Sequence, residues 1–397
     1  MTTPVADTLL TNATLASGDV VDVLLRDGLI SQISSAASTP APGDAIDLTG
    51  YVLLPAPVEP HAHLDKAFLA ELIPNPTGDL FGAIEAMTAH RHLLNFDETV
   101  ERAERAARLM AANGYVAVRS HADTTLENQL VSVTALVEVK RRVADVIDVE
   151  IVALAGSPAD TPDQLALLRD AMQTGADLVG GCPYREGENE RDIARATDVL
   201  LQVATDFGVG VDLHTDETLD PTANGLDALA RRVLSGFTLG ASASHCVSLG
   251  QQPFDVRHST AERVAEAGIV VIALPQTNLY LQGRGLSPMP RALTALEALR
   301  AAGVTVAAGA DNLQDPFNPT GRADPFDTAN LMVMAGHTLI NEAWDTVSKA
   351  SADALRRPSG LIEGAPADLL AARASSLRTA IAFAPADRIR WRGGVRS

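Results

Sequence analysis

The stretch "ETVERAERAARLMAANGYVAVRS", Glu98 to Ser120, decides the fold. Its first part reads as an amphipathic helix that stops at Gly114, the usual punctuation of a helix C-terminus. Its last part, "YVAVRS", is a short apolar run of strand character. The unit recurs downstream. "VSVTALVEVKRRVADVI" leads to "VEIVALAG", "TPDQLALLRDAMQTG" to "ADLVGG", and "ERDIARATDVLLQVATDFG" to "VGVDLH". Then "LDALARRVLSG" leads to "ASASH", "STAERVAEAG" to "IVVIALP", and "PRALTALEALRAAG" to "VTVAAGAD". With "YVLLPAPVEPH" (Tyr51 to His61) as a first strand, eight strands alternate with helices. A distorted (β/α)8 TIM barrel of the α/β class is the expected closure. An open doubly wound sheet is the alternative, but no glycine-rich phosphate loop follows the first strand.

Both ends of the chain look different. "TLLTNATLASGDVVDVLLRDGLISQIS" is short, alternating and turn-rich, with hairpin signals at Gly18-Asp19 and Asp27-Gly28. "APADLLAA" and "TAIAFAPADRIRWRGGVRS" near the other end have the same character. The expected organisation is a small β-sandwich domain from residues 1–54 plus 360–397, flanking a barrel over residues 55–359.

Composition narrows the function. The chain has 397 residues, 46% of them hydrophobic, enough for a large core. Fifty acids against 31 bases leave a net charge of -19, which argues against nucleic acid or an anionic membrane as partner. The expected partner is a small molecule. Cys182 and Cys246 are too few and too far apart for a disulfide framework. There is no secretory leader pattern and no apolar run of bilayer length, so the cytoplasm is the expected location.

Chemistry collects where the strands end. The first ends at His61 and His63, the second at His121, the fifth at His214 with Asp216 and Glu217, the sixth at His245, and the eighth at Asp311. A TIM barrel builds its site at the C-terminal ends of its strands, so these residues face one pocket. A single histidine is more often a satisfied polar residue than a ligand. His90, His92, His258 and His337, in helical or loop stretches, are read that way. Five histidines at strand ends call for another explanation. Neutral imidazoles with a carboxylate suit zinc or ferrous iron, and a metal with an open position activates water. Glu217, one turn beyond His214, is placed either to take that water's proton or merely to sit as an acid at a helix start. No G-x-S-x-G elbow is present, nor the H-x-E with P-C-x-x-C zinc signature.

The ordered set "PAPVEPHAHLDKAF", "DLHTDET", "ASHCVSLG", "LPQTNLYLQGR" and "AGADNLQDPFNPTG" resembles the cytosine deaminase branch of the amidohydrolase superfamily over nearly the whole chain. The resemblance implies one divalent ion, Zn or Fe(II), on His61, His63, His214 and Asp311. It implies Glu217 as proton shuttle and His245 as the group orienting the water or the intermediate, with Asp311 sharing that stabilisation. It implies Gln282 as a substrate-pocket residue, and His121 is placed there too. The fourth strand ends in "LVGGCP", with no lysine to bridge a second metal. Oligomers are common in the family, although the sequence carries no interface signal.

Three positions depart from the cytosine type. Gly156 stands where that type has a glutamine reading the amide edge of the base. Asn312 follows the metal aspartate in place of a second aspartate, and Phe317 replaces a tryptophan. The Asp311-Asn312 pair is similar to the aminotriazine-processing relatives, the N-isopropylammelide amidohydrolases. The expected reaction is hydrolytic deamination of an aminopyrimidine or aminotriazine, with activated water attacking the amine-bearing ring carbon. Cyclic amide hydrolysis and a catalytically silent binding barrel are the alternatives.

Overall fold

The computed structural model describes residues 7–36, 45–185 and 190–397. The parts of the expected terminal unit at 1–6 and 37–44 lie outside the described residues. The barrel strands are β1 (Val58–Ala62), β2 (Ala117–Thr124), β3 (Asp148–Ala155), β4 (Leu178–Gly181), β5 (Val211–Thr215), β6 (Ala241–His245), β7 (Val270–Ala273) and β8 (Val306–Ala308). Each pairs in parallel with its neighbours in chain order. A parallel bridge between Ala62 and Asp311, with Asp311 N donating to His61 O at 3.1 Å, joins the last strand to the first. The expected (β/α)8 barrel is what forms.

The helix that opened the reading spans Phe96–Ala112. Asn95 caps it by accepting from Glu98 N at 3.2 Å. Ala103, Ala106, Ala107 and Met110 form its buried face, at the three-to-four spacing one helix side requires. Gly114 then takes a φ of 109°, which reverses the chain into β2. The small alanine face lets the helix pack closely in the large core between barrel and helical ring.

One expectation needs correction. Tyr51 to His61 is two strands, not one. Val52–Pro55 pairs antiparallel with Leu369–Ala372 in the terminal sheet, and β1 begins only at Val58. Pro57 between them has no N–H to give a ladder.

The terminal sheet follows the expected pattern. Val20–Arg26 and Leu29–Ser35 form a hairpin whose turn residues, Asp27 and Gly28, have φ of 50° and 78°. Positive φ at both central positions matches the twist of paired strands. Strands far apart in the order of this single mixed sheet share one core of Val23, Leu53, Leu369 and Trp391. Arg388 ties this sheet to the barrel shell by pairing with Asp324 at 2.8 Å, and Arg390 donates to Tyr115 O at 2.7 Å.

Candidate active site

The strands deliver their polar ends to one cavity of about 350 Å³, lined among others by His63, Lys66, His214, Glu217, His245 and Asp311. Three strands reach it through a non-glycine residue in the left-handed region: Asp216 (φ 48°), His245 (68°) and Asp311 (61°). Each such residue costs about 1–3 kcal/mol, a strain retained where surrounding structure over-determines it.

His61, His63, His121, His214 and His245 are all buried. Burial, followed for most of them by neighbouring cationic groups, holds the first four well below the ordinary imidazole range and His245 at about 3. All five are therefore neutral at pH 7. His63 Nε2 and His214 Nε2 face each other at 3.2 Å. Asp311 Oδ1 lies 3.6 Å from His61 Nε2 and 3.4 Å from His63 Nε2, and its Oδ2 lies 4.0 Å from His245 Nε2. These are too long for good hydrogen bonds. Accordingly His61 Nε2, His245 Nε2 and both Asp311 oxygens are buried with no hydrogen-bond partner among the described residues. Buried polar atoms are rarely left so, and the lone pairs of His61 Nε2 and Asp311 turned toward one another want a cation between them. Donor atoms of His61, His63 and His214 lie within 4.8 Å of one another, as do those of His61, His245 and Asp311. The donor set fits a divalent ion of the zinc or ferrous type. A third grouping, His61 with His121 and Asp212, is a poorer cage, because Asp212 already pairs with Arg119 at 2.6 Å.

The barrel interior fixes how His61 presents itself. Ser244 Oγ donates to Asp212 Oδ1 at 3.0 Å. With that proton committed, the 2.8 Å contact between Ser244 Oγ and His61 Nδ1 has the imidazole as donor. The lone pair of Nε2 is then free to face Asp311, the usual way an outer partner selects a ligand tautomer.

Glu217 Oε1 sits 3.5 Å from His245 Nδ1, and Tyr184 OH donates to Oε2 at 3.2 Å. Burial pushes its carboxyl up to about 7, against the lowering effects of Tyr184 and Arg185. Asn278 Nδ2 lies 3.0 Å from His245 Nδ1. Burial, then the charges of Glu217 and Asp315, raise Asp311 well above the usual carboxylate range.

Of the expected substrate contacts, Gly156, Asn312 and Phe317 line the cavity. Two others sit elsewhere. Gln282 is not among the lining residues and donates to Glu217 O at 3.2 Å, buttressing the main chain behind the carboxylate. His121 does not line the cavity either; its ring lies 4.1 Å from that of His61, deeper in the barrel. It occupies the middle of β2, because that strand runs on to Thr124. Asp216 also turns away, accepting from Gly225 N and Leu226 N at 2.9 Å each, at the start of the next helix.

Lys66, Asp123, Tyr184 and Gln164 line the cavity without having been singled out. Lys66 Nζ bonds Asp123 Oδ1 at 2.7 Å and lies 3.1 Å from His63 Nδ1. The two-residue strand period linking His121 and Asp123, and the i, i+3 spacing of His63 and Lys66, were the available signals.

Comparison with known proteins agrees with this architecture. The profile of the amidohydrolase family matches residues 77–390. A pterin deaminase of Rhizobium rhizogenes is 33% identical over 382 residues, covering 94% of this chain and 86% of that protein. The structure of 5-methylcytosine deaminase from Klebsiella pneumoniae, liganded with phosphonocytosine, superposes with a TM-score of 0.90 at 30% identity, covering 98% of this chain and 97% of the other. That of N-isopropylammelide isopropylaminohydrolase from Burkholderia multivorans gives 0.84 at 27% identity, covering 99% and 98%.

Proposed function

The chain belongs to the amidohydrolase family, in its cytosine deaminase-like branch, and from that premise we propose hydrolytic deamination of an aminopyrimidine-type ring. The observation carrying this reading is the convergence of Glu217 and His245, 3.5 Å apart, on the cavity that His63, His214 and Asp311 also line. The proposed holder of a single divalent ion, zinc or ferrous iron, is the set His61, His63, His214 and Asp311. Bound there, such an ion makes hydroxide available near neutral pH. Glu217, poised near neutrality by burial, takes one proton of the attacking water and delivers it to the ring nitrogen, then takes the second from the hydroxyl gained by the ring carbon and delivers it to the departing amine. The C–O bond forms, the C–N bond breaks, and ammonia leaves. His245, with Nδ1 receiving the Asn278 amide, turns an N–H at Nε2 toward the site and steadies the oxygen gained by the ring carbon. Asp311 shares that stabilisation.

Pterin and 5-methylcytosine, the compounds in the names of two relatives at least 30% identical over most of this chain, both contain an aminated pyrimidine ring. We take that ring as the reacting part of the substrate. Gly156 and Phe317, smaller than their cytosine-type counterparts, leave room beyond it. We further assign residues 1–54 with 360–397 to a supporting β-domain, residues 55–359 to the catalytic barrel, and the protein to the cytoplasm. Among the described residues, no helix is long and apolar enough to cross a membrane.

The test is an ammonia-release screen of the metal-loaded protein over pterins, cytosines and aminotriazines. Turnover of at least one class is expected, and Glu217→Gln should lower kcat by about 10²–10⁴-fold. Full turnover by Glu217→Gln would remove Glu217 from the mechanism.

A further inference from the structure

The loss of the cytosine-type glutamine at Gly156 has a physical counterpart one helix later. Gln164 lies in the first turn of the helix Pro162–Thr174 that follows β3, is 3% exposed, and lines the cavity. Its Nε2 donates to Thr124 O, at the end of β2, at 2.7 Å. Because a carbonyl can only accept, this contact settles which way the carboxamide faces. Its Oε1 is turned toward Gly156, where it would lie 2.8 Å from an added Cβ. No donor among the described residues is hydrogen-bonded to that oxygen. Gly156 itself has no left-handed φ, so its backbone does not call for glycine. The space does: any side chain at 156 meets Gln164 Oε1 on one side and Thr125 Cγ2, at 3.2 Å, on the other.

We propose that Gln164 is a specificity-determining residue, its Oε1 a fixed acceptor for a ring N–H or exocyclic amine of the substrate, and that Gly156 is the vacancy that admits it. The assignment rests on the heterocycle reading above and names which edge chemistry that site takes. A glutamine with both amide atoms free can pair with the N–H and the C=O of an amide edge together. One of the two Gln164 N–H groups is committed to Thr124 O, which fixes Oε1 as the acceptor presented at this edge. It therefore selects a donor at this edge. A buried acceptor left unpaired is costly, so a heterocycle lacking the donor, or methylated on it, is rejected.

The experiment reads equilibrium binding rather than turnover, so a failed ammonia-release screen leaves it intact. Calorimetry on the metal-loaded Glu217→Gln protein, where bound heterocycle is not consumed, compares pterin and cytosine with their ring-N-methylated forms. With Gln164 unaltered, methylation at one ring nitrogen should weaken binding about tenfold or more. In the Gln164→Leu background the parent compound should weaken by a similar factor and the methyl discrimination should vanish. Gly156→Ala, which adds only one carbon and displaces the same oxygen, should reproduce the loss, and the double variant should be no weaker than either single one. Binding within twofold of the parent in Gln164→Leu, retained methyl discrimination, or multiplicative effects of the two substitutions would each overturn the assignment.

Discussion

Glu217 is the residue whose environment and role are most tightly linked. Its raised carboxyl, at about 7, comes first from burial. A proton acceptor must start ionised, so kcat/KM for the deaminated heterocycle is expected to fall as pH drops below about 7, tenfold per unit at the steep end. The same limb should disappear in Glu217→Gln, whose residual rate does not depend on that ionisation. A profile flat from pH 5 to 8 in the unaltered protein would count against Glu217 as the base. His245 titrates far lower, at about 3, and contributes nothing to that limb. The contrast follows from charge type: burial disfavours the charged form of each, raising the Glu217 carboxyl and lowering the His245 imidazole, while Tyr184 and Asn278 act against those shifts. Glu217 was visible in "HTDE" as either a shuttle or a helix-start acid. The helix-start position is held by Asp216, its neighbour, which accepts from the N-terminus of the next helix.

At the scale of elements, the site depends on how β8 returns to β1. Glu59, buried in β1, accepts from Ala310 N at 3.1 Å and from His61 N at 3.2 Å, and Tyr115 donates to it as well. It is thus a clasp between the strand that carries His61 and the turn that carries Asp311. Every partner donates, so Glu59→Gln would have to turn an NH₂ group against an N–H. The expected cost is about 1–3 kcal/mol, read as a lower urea midpoint at unchanged m-value. An unchanged midpoint would show that the clasp contributes nothing. The sequence places Glu59 two residues before His61, on the same face of a strand, but nothing local says that its partners lie some 250 positions onward. The split of Tyr51–His61 was similarly hidden. Apolar residues continue through both halves, and only the competing sheet decides which half joins which ladder.

For the whole molecule, the decisive quantity is metal stoichiometry. Orphaned donors gather around Asp311, and although both His121 nitrogens are unpartnered too, the deeper grouping has its carboxylate already neutralised by Arg119. Elemental analysis of the chain loaded with zinc or ferrous iron should give close to one ion per chain. Chelation should lower the melting temperature, since an ion bound only by the folded state adds about 2.7 kcal/mol when present at a hundred times its dissociation constant. Two ions per chain would favour cyclic amide hydrolysis. The terminal sheet contributes to this scale through Arg388 and Arg390, which reach from the sheet to residues flanking the barrel. It supports the shell while contributing none of the residues that line the cavity.

The alternation from Glu98 onward, the glycine stops and the histidines at strand ends were enough to determine the barrel and to bring most of those histidines to one end of it. Those features are local or periodic, and a closed parallel barrel has one end at which strand-terminal side chains can meet. The terminal β-unit was legible for the same reason, through hairpin turns that demand positive φ at Asp27 and Gly28. Only the tertiary structure decided that Gln282 stands behind Glu217, that His121 lies beneath His61, and that Gln164 reaches the space vacated at Gly156. Each of these depends on how far a strand runs and which way a side chain leans from a neighbouring element. Such distances arise from packing between elements, and no spacing along the chain encodes them.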